Sequence, residues 1–157
     1  MTIKLLLIGK TSNPDLKSLL QQYTKRLKHY TKFEIEIIPE LKIRKNLSPE
    51  EQKTREGQEI LAKLQNSDTV VLLDEKGKEF DSLHFSKWLQ KQLNSGKKQL
   101  VFVVGGPYGF SPAVYHKASF KIALSKMTFS HEMIRPFFTE QLYRAFTILQ
   151  NEPYHHQ

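Results

Sequence analysis

The sequence predicts an α/β fold in three layers, with a mainly parallel sheet covered by helices on both faces. Five short apolar runs alternate with segments whose apolar residues recur every three to four positions, the spacing of an amphipathic helix. Parallel strands need crossover connections, and these connections place helices over the sheet. The chain has 157 residues, which suits one domain over residues 1–157 and is enough to bury roughly 70% of the surface that the unfolded chain exposes.

The five apolar runs are predicted as strands because β-branched and other apolar residues dominate them. They cover Ile3 to Ile8, Phe33 to Ile38, Thr69 to Asp74, Gln99 to Val104 and Phe120 to Ser125. The first run is too short for a membrane-spanning helix, and Met1 to Ile8 lacks the h-region and cleavage site of a signal peptide. We therefore expect neither a membrane segment nor a leader.

Helix start signals lie between these strands. Ser48-Pro49-Glu50-Glu51 is a capping box with proline at the first helical position, and it predicts a helix from Pro49 to about Gln65. The other starts are Asn13-Pro14-Asp15 for a first helix that ends near Tyr30, Asp81-Ser82 for a third helix, Ser111-Pro112 for another, and His131 for a last helix that ends near Gln150. The segment from Pro39 to Leu47 is predicted to be a mobile loop with three cationic side chains, Lys42, Arg44 and Lys45.

The positive charge of the chain is high and unevenly placed. The formal net charge is +8, and residues 82–131 hold seven lysines and no aspartate or glutamate. The lysines are Lys87, Lys91, Lys97, Lys98, Lys117, Lys121 and Lys126. Such a field attracts a polyanion and makes binding depend on salt, because each phosphate contact releases condensed counterions. RNA or DNA is the natural partner, and the alternative is that the lysines keep a small protein soluble.

The chain contains no cysteine. This excludes a disulfide framework and a thiolate metal site, and it agrees with a reducing compartment. We therefore expect a cytoplasmic protein.

Two strands are predicted to end beside each other in loops that can hold a nucleotide-like ligand. Gly105-Gly106-Pro107-Tyr108-Gly109 follows the fourth strand, and the loop from Leu124 to Phe129 follows the fifth. In open α/β sheets, ligands bind at the carboxyl ends of strands, where loops expose backbone N–H and C=O groups. The first strand is followed by Ile8-Gly9-Lys10-Thr11-Ser12, which is neither G-x-G-x-x-G nor a P-loop. The alternative for the glycine-rich loop is an ordinary turn.

Four spaced motifs carry a resemblance to a known family. They are Leu72-Leu73-Asp74, the Gly-Gly-Pro-x-Gly loop from Gly105 to Gly109, Leu-Ser-Lys-Met-Thr-Phe-x-His from Leu124 to His131, and Tyr143-Arg144-Ala145 with Pro153-Tyr154-His155. Over essentially its whole length the chain resembles the bacterial SPOUT methyltransferases that modify large-subunit ribosomal RNA, and more narrowly the pseudouridine N3-methyltransferase family. The resemblance implies a deep C-terminal trefoil knot that holds S-adenosylmethionine, and a homodimer whose active site draws on both protomers. Knots are nearly absent from other folds, so sequence pattern alone does not lead to one.

The resemblance also implies which residues contact the cofactor. They are Leu73, Gly105, Leu124, Ser125, Lys126, Met127, Thr128 and Phe129. These residue types suit adenine, which needs a flat apolar slot and a few backbone hydrogen bonds, while glycine lets the backbone approach closely. The alternative is that Leu73, Leu124 and Met127 are ordinary core residues at strand ends.

The implied reaction moves a methyl group from a sulfonium to a ring nitrogen that must also lose its proton. A nearby cation or general base would assist that loss. The candidates are His131, Arg135, Arg144, Tyr154 and His155. His131 has the alternative of simply beginning the last helix. Arg135 and Arg144 lie on roughly opposite sides of an ideal helix, so one could bind RNA phosphate or the cofactor carboxylate while the other pairs with Glu140.

The last residues of the chain have two interpretations. Tyr154 and His155 could close over a base and stack on it, and the alternative is a disordered tail, since chain ends often fray. Where family members tend to finish with a basic residue, this chain has His156-Gln157. This weakens the hypothesis that the tail binds RNA through its charge.

The last helix carries more than one narrow apolar stripe, which predicts burial against the sheet and against a second subunit, with a fully internal helix as the alternative. Its apolar residues are Met133, Ile134, Phe137, Phe138, Leu142, Phe146 and Ile148. The function that the resemblance implies is S-adenosylmethionine-dependent methylation of pseudouridine N3 in 23S ribosomal RNA, on assembled ribosomes or large subunits, without membrane or metal. One alternative is an RNA- or ribosome-binding α/β protein without catalysis, and another is a nucleotide-binding module without an RNA substrate.

Overall fold

The computed structural model describes residues 1–42 and 46–156. The strands are β1 (Thr2–Ile8), β2 (Lys32–Ile38), β3 (Thr69–Glu79), β4 (Gln99–Val104) and β5 (Phe120–Ala123). The helices are α1 (Pro14–Leu27), α2 (Pro49–Lys63), α3 (Ser82–Leu93), α4 (Pro112–Lys117) and α5 (Ile134–Leu149). The strands form one sheet in the order β2-β1-β4-β3-β5, and every neighbouring pair is parallel. The α/β fold with a parallel sheet is confirmed.

The core has two halves, one on each face of the sheet. On one face, α1, α3 and α5 pack through Leu27, Leu89 and Phe138, all fully buried. On the other face, α2 and α4 pack through Ile60 and Val114. Helices on both faces explain why β1 and β4 are nearly continuous apolar runs, since neither face of these strands meets water. The three-layer arrangement therefore agrees with the prediction.

Four helices begin at the predicted start signals. In each of them a side-chain oxygen accepts a backbone N–H of the first turn, which satisfies a donor that the helix itself cannot pair. The residues that cap in this way are Asn13, Ser48, Asp81 and Ser111. Proline opens α1, α2 and α4, where its missing N–H costs no helical hydrogen bond.

The third strand is longer than predicted. We expected it to end at Asp74, and it continues to Glu79. Leu73 pairs with Ile122 of β5, four residues then bulge out, and the strand pairs with Ile122 once more. A Cβ atom on Gly77 would lie 2.6 Å from the backbone nitrogen of Ile122, so only glycine fits at the point where β3 passes β5. Local propensity could not show this extension because it depends on a partner that is distant along the chain.

Two other elements are shorter than predicted. The strand β5 ends at Ala123 instead of Ser125, because the Ser125 hydroxyl accepts the Met127 N–H at 3.0 Å and turns the chain. The helix α1 ends at Leu27, not near Tyr30, and its last residues give way to a turn in which the Tyr30 N–H donates to the Leu27 carbonyl at 2.9 Å.

The last helix begins later than predicted, at Ile134 and not at His131. Residues 131–133 form a turn, in which the Ser130 hydroxyl accepts the Met133 N–H at 3.1 Å. His131 therefore belongs to the turn that precedes α5 and does not begin the helix.

The sheet order and the crossing at Gly77 are compatible with the trefoil knot that the resemblance implies, and the knot itself stays a prediction. The mobile loop predicted from Pro39 to Leu47 includes residues 43–45, which lie outside the described residues.

Candidate active site

The carboxyl ends of β4, β3 and β5 lie side by side at one edge of the sheet. Leu73 pairs with Val104 of β4 on one side and with Ile122 of β5 on the other. Gly105 directly follows Val104, and Leu124 comes two residues after Ile122. Three of the residues that sequence reasoning named therefore meet at the edge where open α/β sheets bind ligands.

The loop after β4 is tightly packed around its glycines. A Cβ atom on Gly105 would lie 3.1 Å from Phe110 Cε1 and 3.3 Å from the Gly109 carbonyl oxygen. A Cβ atom on Gly106 would lie 2.0 Å from Glu56 Oε2, far inside van der Waals contact. A side chain at Gly105 would press on Phe110 and Gly109, and one at Gly106 would require the Glu56 carboxylate to move, so both positions are tightly packed.

The loop between β5 and α5 is held at its middle and exposes its tip. The Ser125 hydroxyl accepts the Met127 N–H, and the Thr128 hydroxyl donates to the Glu75 carboxylate in the bulge of β3. Met127 is 78% exposed, and Lys126 is exposed as well. Met127 is therefore not a core residue, whereas its neighbours in the loop are fixed in place.

A cleft of about 560 Å³ opens beside this loop, a volume typical of small-molecule sites. Leu124 and Phe129 line it from the loop, while Phe85 and Glu140 line it from α3 and α5. The rings of Phe129 and Phe137 pack with their centroids 5.8 Å apart. The cleft therefore joins the predicted cofactor loop to the middle of the last helix.

Arg135 does not face a ligand, so the hypothesis that it binds RNA phosphate or the cofactor carboxylate is wrong. Its side chain is fully buried. Nη2 donates to the Ile8 carbonyl at 2.7 Å, and Nη1 donates to the Gly9 carbonyl and the Thr11 hydroxyl, each at 3.0 Å. Nε donates to the His131 carbonyl at 2.9 Å. The guanidinium thus joins the end of β1 to the turn before α5.

Glu132 makes a second link between the same two segments. One carboxylate oxygen accepts the backbone N–H groups of Ser12 at 2.6 Å and Asn13 at 3.2 Å, and the other accepts the Ser12 hydroxyl at 2.7 Å. The Ser12 hydroxyl above all, and then the two N–H groups, hold the pKa of Glu132 below its ordinary value. Together with Arg135, this carboxylate fixes the end of the loop that follows β5.

Glu132→Gln is expected to destabilise the protein by about 1 kcal/mol at neutral pH, because an amide replaces charge-assisted hydrogen bonds. A lowered pKa in the folded state gives stability that is present above the ordinary pKa and is lost as the pH falls through the folded value. Urea unfolding at several pH values should show the difference between wild type and variant shrinking below about pH 4. A difference that stays constant down to about pH 3 would contradict this assignment.

His131 lies beside the glycine-rich loop. With Gly106 and Pro107 it lines a small cavity of about 30 Å³ between β1 and α2. Its carbonyl oxygen accepts the Nε–H of Arg135. The structure thus brings His131 close to the loop after β4, although His131 does not begin α5.

The last residues of the chain fold back onto α5. Tyr154 donates to Glu140 Oε1 at 2.9 Å, and its hydroxyl lies 3.4 Å from that of Tyr23. Arg144 donates from Nη2 to the same Glu140 oxygen at 2.6 Å, as the four-residue spacing predicts, and its Nη1 lies 3.2 Å from His155 Nδ1. The tail is therefore packed, and three of the predicted catalytic residues form one cluster.

Tyr154 is suited to donate a hydrogen bond and not to accept a proton. Burial first of all, and then hydrogen bonds with Tyr23 and Glu140, raise the pKa of Tyr154 above its ordinary range. The hydrogen bond from Tyr30 to Glu152, at 2.5 Å, raises the pKa of Tyr30 to about 12 and ties the tail to α1. Both phenols therefore stay protonated at neutral pH.

Comparison with known proteins decides the family. A family model described as "Predicted SPOUT methyltransferase" matches residues 1–155. The chain belongs to the SPOUT methyltransferase family. Relatives named Ribosomal RNA large subunit methyltransferase H, from Christiangramia forsetii and Flavobacterium johnsoniae, are 63% and 61% identical to it over 157 residues, and the match covers 100% of each chain.

A solved structure shows the same fold for this SPOUT methyltransferase. It is a probable methylase family protein from Haemophilus influenzae, which matches 95% of this chain with a TM-score of 0.51 and 11% identity. The match spans 66% of that protein's length. At this identity the likeness concerns the fold alone.

SPOUT methyltransferases use S-adenosylmethionine, and the residues at the strand ends fit this cofactor. Leu73 and Leu124 are apolar residues, the first before the bulge of β3 and the second directly after β5, and the Cβ position of the neighbouring Gly105 is tightly packed against Phe110 and Gly109. Met127 and Lys126 are exposed side chains in the loop that follows β5. An apolar slot with neighbouring backbone and a few polar groups is what a nucleoside needs.

The described part of this SPOUT methyltransferase contains neither a metal-binding cluster of side chains nor a membrane-spanning helix. Over residues 1–42 and 46–156, no group of three or more histidine, cysteine, aspartate or glutamate side chains could hold a metal ion. In the same part of the chain, no helix has both the length and the apolar character needed to cross a bilayer.

Sequence reasoning missed several residues that build the site. Glu132 and Ser12 are 120 positions apart, and Tyr23 and Tyr154 are 131 apart. Glu75 reaches Thr128 only because β3 bulges at that point. Motif and spacing could not reveal these contacts, because each depends on the packing of distant elements.

Proposed function

We propose that this SPOUT methyltransferase methylates N3 of a pseudouridine in 23S ribosomal RNA, with S-adenosylmethionine as methyl donor. The observation that carries the proposal is the identity of 63% over all 157 residues with a relative named Ribosomal RNA large subunit methyltransferase H. The choice of pseudouridine N3 rests on the resemblance carried by Tyr143-Arg144-Ala145 and Pro153-Tyr154-His155. The enzyme works as a single domain in the cytoplasm, where ribosomes are found.

The strand-end residues and the loop after β5 hold the cofactor in this proposal. Leu73, Gly105 and Leu124 form the slot for adenine, and backbone groups from Ser125 to Phe129 supply hydrogen bonds. When bound, the cofactor supplies an electrophilic methyl group. The protein contributes mainly by aligning the target nitrogen with that methyl group and by excluding water.

The tail cluster serves the target base. Arg144 and His155 are polar groups that can face the base, and the aromatic ring of Tyr154 packs against the guanidinium of Arg144. His131 lies apart from this cluster, in a small cavity that it lines with Gly106 and Pro107 of the glycine-rich loop. A weakly acidic ring N–H loses its proton more easily next to cations and hydrogen-bond donors.

The lysines between residues 82 and 131 supply attraction to RNA. Six of the seven are exposed, and Lys117, which is half-buried, donates to Asn66 at 2.9 Å. No acidic side chain interrupts this segment, so its field favours phosphate. This surface supports RNA as the partner of the enzyme.

A homodimer is part of the proposal. On α5 and the turn before it, Phe137 is 41% exposed and Met133 is 42% exposed, beside Phe129 of the loop after β5. Large apolar side chains grouped in this way are typical of interaction surfaces. We propose that this face is buried against a second copy of the chain.

Large subunits or ribosomes are expected to be methylated at least about tenfold faster than protein-free 23S RNA, because one small domain must recognise the shape of the assembled particle. A tenfold ratio corresponds to about 1.4 kcal/mol of additional binding free energy. Transfer of labelled methyl groups to matched amounts of the two substrates measures the ratio. Equal rates would contradict recognition of the assembled particle. RNA binding without any transfer would favour the alternative of an RNA-binding protein without catalysis.

A further inference from the structure

The contact between Arg144 and His155 determines which imidazole nitrogen carries a proton. Arg144 Nη1 lies 3.2 Å from His155 Nδ1. A guanidinium only donates hydrogen bonds and remains protonated in proteins, so Nδ1 must accept. In a neutral imidazole the hydrogen then sits on the other nitrogen. His155 therefore presents an Nε2–H donor to its surroundings.

Arg144 is held in the orientation that this contact needs. Its Nη2 donates to Glu140 Oε1 at 2.6 Å, and the two side chains are only 25% and 17% exposed. The guanidinium carbon lies 4.7 Å from the centroid of the Tyr154 ring, whose hydroxyl donates to the same Glu140 oxygen. One carboxylate and one ring thus fix the plane of the guanidinium and direct Nη1 at His155.

Glu140 also lines the cleft beside the loop that follows β5. It is therefore the side chain that connects the tail cluster to the predicted cofactor loop. A change in its charge would reach His155 through Arg144, without any change in the strand ends that hold the cofactor.

We propose that His155 acts in methyl transfer as a neutral hydrogen-bond donor, through Nε2–H, to a carbonyl oxygen beside the target nitrogen, and that Glu140 and Arg144 are positioning residues that hold it in this form. The inference rests on the proposed function and replaces a general-base role for His155. In pseudouridine, N3 lies between two carbonyl groups, and loss of its proton spreads negative charge onto their oxygens. A donor already in place at such an oxygen stabilises that anion.

In the proposed methyl transfer, the imidazole of His155 neither gains nor loses a proton. The N3–H proton passes to bulk water before the site closes over the base, which leaves an anion that the Nε2–H donor stabilises. The N3 lone pair then forms the bond to the methyl carbon as the carbon–sulfur bond breaks, and the electrons of that bond remain on sulfur as a neutral thioether. His155 ends the step in the form in which it began.

Two substitutions of His155 separate a donor from a base. Glutamine keeps an N–H donor and has no basic nitrogen, whereas alanine has neither. On large subunits, His155→Gln is expected to keep about one tenth or more of the wild-type kcat, while His155→Ala loses about 100-fold or more. Affinity for S-adenosylmethionine stays unchanged in both. A His155→Gln enzyme as slow as His155→Ala would overturn the donor role.

Replacing each of two carboxylates, Glu140 and Glu152, by an amide tests the positioning role of Glu140. Glu140→Gln is expected to lower kcat about tenfold with little change in KM, because the guanidinium loses its charged partner. Glu152 also accepts from a tyrosine, Tyr30, and it lies in the same tail. Glu152→Gln is the control and is expected to stay within about twofold of wild type. Equal losses in the two variants would show that Glu140 merely holds the tail, and this would overturn its positioning role.

Nitrogen NMR of protein with ¹⁵N-labelled histidine reads the tautomer directly. Wild type is expected to show, for His155, a protonated Nε2 and an unprotonated Nδ1, and Glu140→Gln is expected to move the two signals towards each other. A proton on Nδ1 in wild type would overturn the inference. Wild-type protein that transfers no methyl group to large subunits would overturn the proposed function instead, so the two failures are distinguishable.

Discussion

Gly105→Val is expected to abolish measurable binding of S-adenosylmethionine while the protein stays folded. A single Cβ at this position would already lie 3.1 Å from Phe110 Cε1 and 3.3 Å from the Gly109 carbonyl oxygen. Two further methyl groups would crowd Phe110 and Gly109 and displace the loop after β4, which is expected to contact the cofactor. Overpacking of this kind should weaken binding by about 100-fold or more.

Calorimetric titration with S-adenosylmethionine measures this effect, and the rise in melting temperature that ligand binding causes provides a check on the same samples. Gly96→Ala is the control. Gly96 has a positive φ of 75° and no atom within 4 Å of its Cβ position, so alanine there costs about 1 kcal/mol of stability and leaves the cofactor slot intact. Unchanged affinity in Gly105→Val would remove the loop after β4 from the cofactor site.

Arg135→Met is expected to lower the free energy of unfolding by about 3 kcal/mol or more. The side chain is fully buried, and its loss leaves the carbonyl oxygens of Ile8, Gly9 and His131 without their donor. Each buried acceptor that loses its partner costs about 1 kcal/mol or more. Arg135→Lys should fall between wild type and Arg135→Met, because an ammonium cannot reproduce the planar fork of a guanidinium.

Urea unfolding at neutral pH measures this loss, with an unchanged m-value as evidence that the compactness of both states is preserved. Arg26→Met provides the comparison, because Arg26 stacks on Tyr23 and Tyr143 at the surface of the helix layer and its loss should cost about 1 kcal/mol or less. An Arg135→Met protein as stable as Arg26→Met would mean that the link between β1 and the turn before α5 contributes little.

The sequence predicted the elements that depend on local chemistry. Caps such as Asn13 and Ser48 predicted where helices begin, because a side-chain oxygen and the first free N–H groups lie within a few residues of each other. The alternation of strands and helices predicted a parallel sheet, in which the loops after β4 and β5 open at the same end. The expectation that these two strands end beside each other was wrong, because β3 lies between them. The pairing of Arg144 with Glu140 followed from their spacing on one helix.

Features that depend on distant partners could not be predicted in this way. The extension of β3 to Glu79 exists because the chain passes β5 a second time, which no local propensity encodes. In the sequence Arg135 cannot be distinguished from a phosphate-binding arginine, and only the fold shows that its guanidinium is buried and donates to three backbone carbonyls and the Thr11 hydroxyl. The cofactor residues themselves came from the resemblance, since apolar strand ends are otherwise indistinguishable from core.

The most direct test of the account is mass spectrometry of nucleosides from 23S RNA after large subunits have been incubated with the purified protein and S-adenosylmethionine. We predict one added methyl group on a pseudouridine, at N3, and no such product with Gly105→Val under the same conditions. A methyl group on another base or another atom would contradict the assignment of the substrate. No methylated nucleoside, from folded protein that binds large subunits, would contradict the claim that this chain is an active ribosomal RNA methyltransferase.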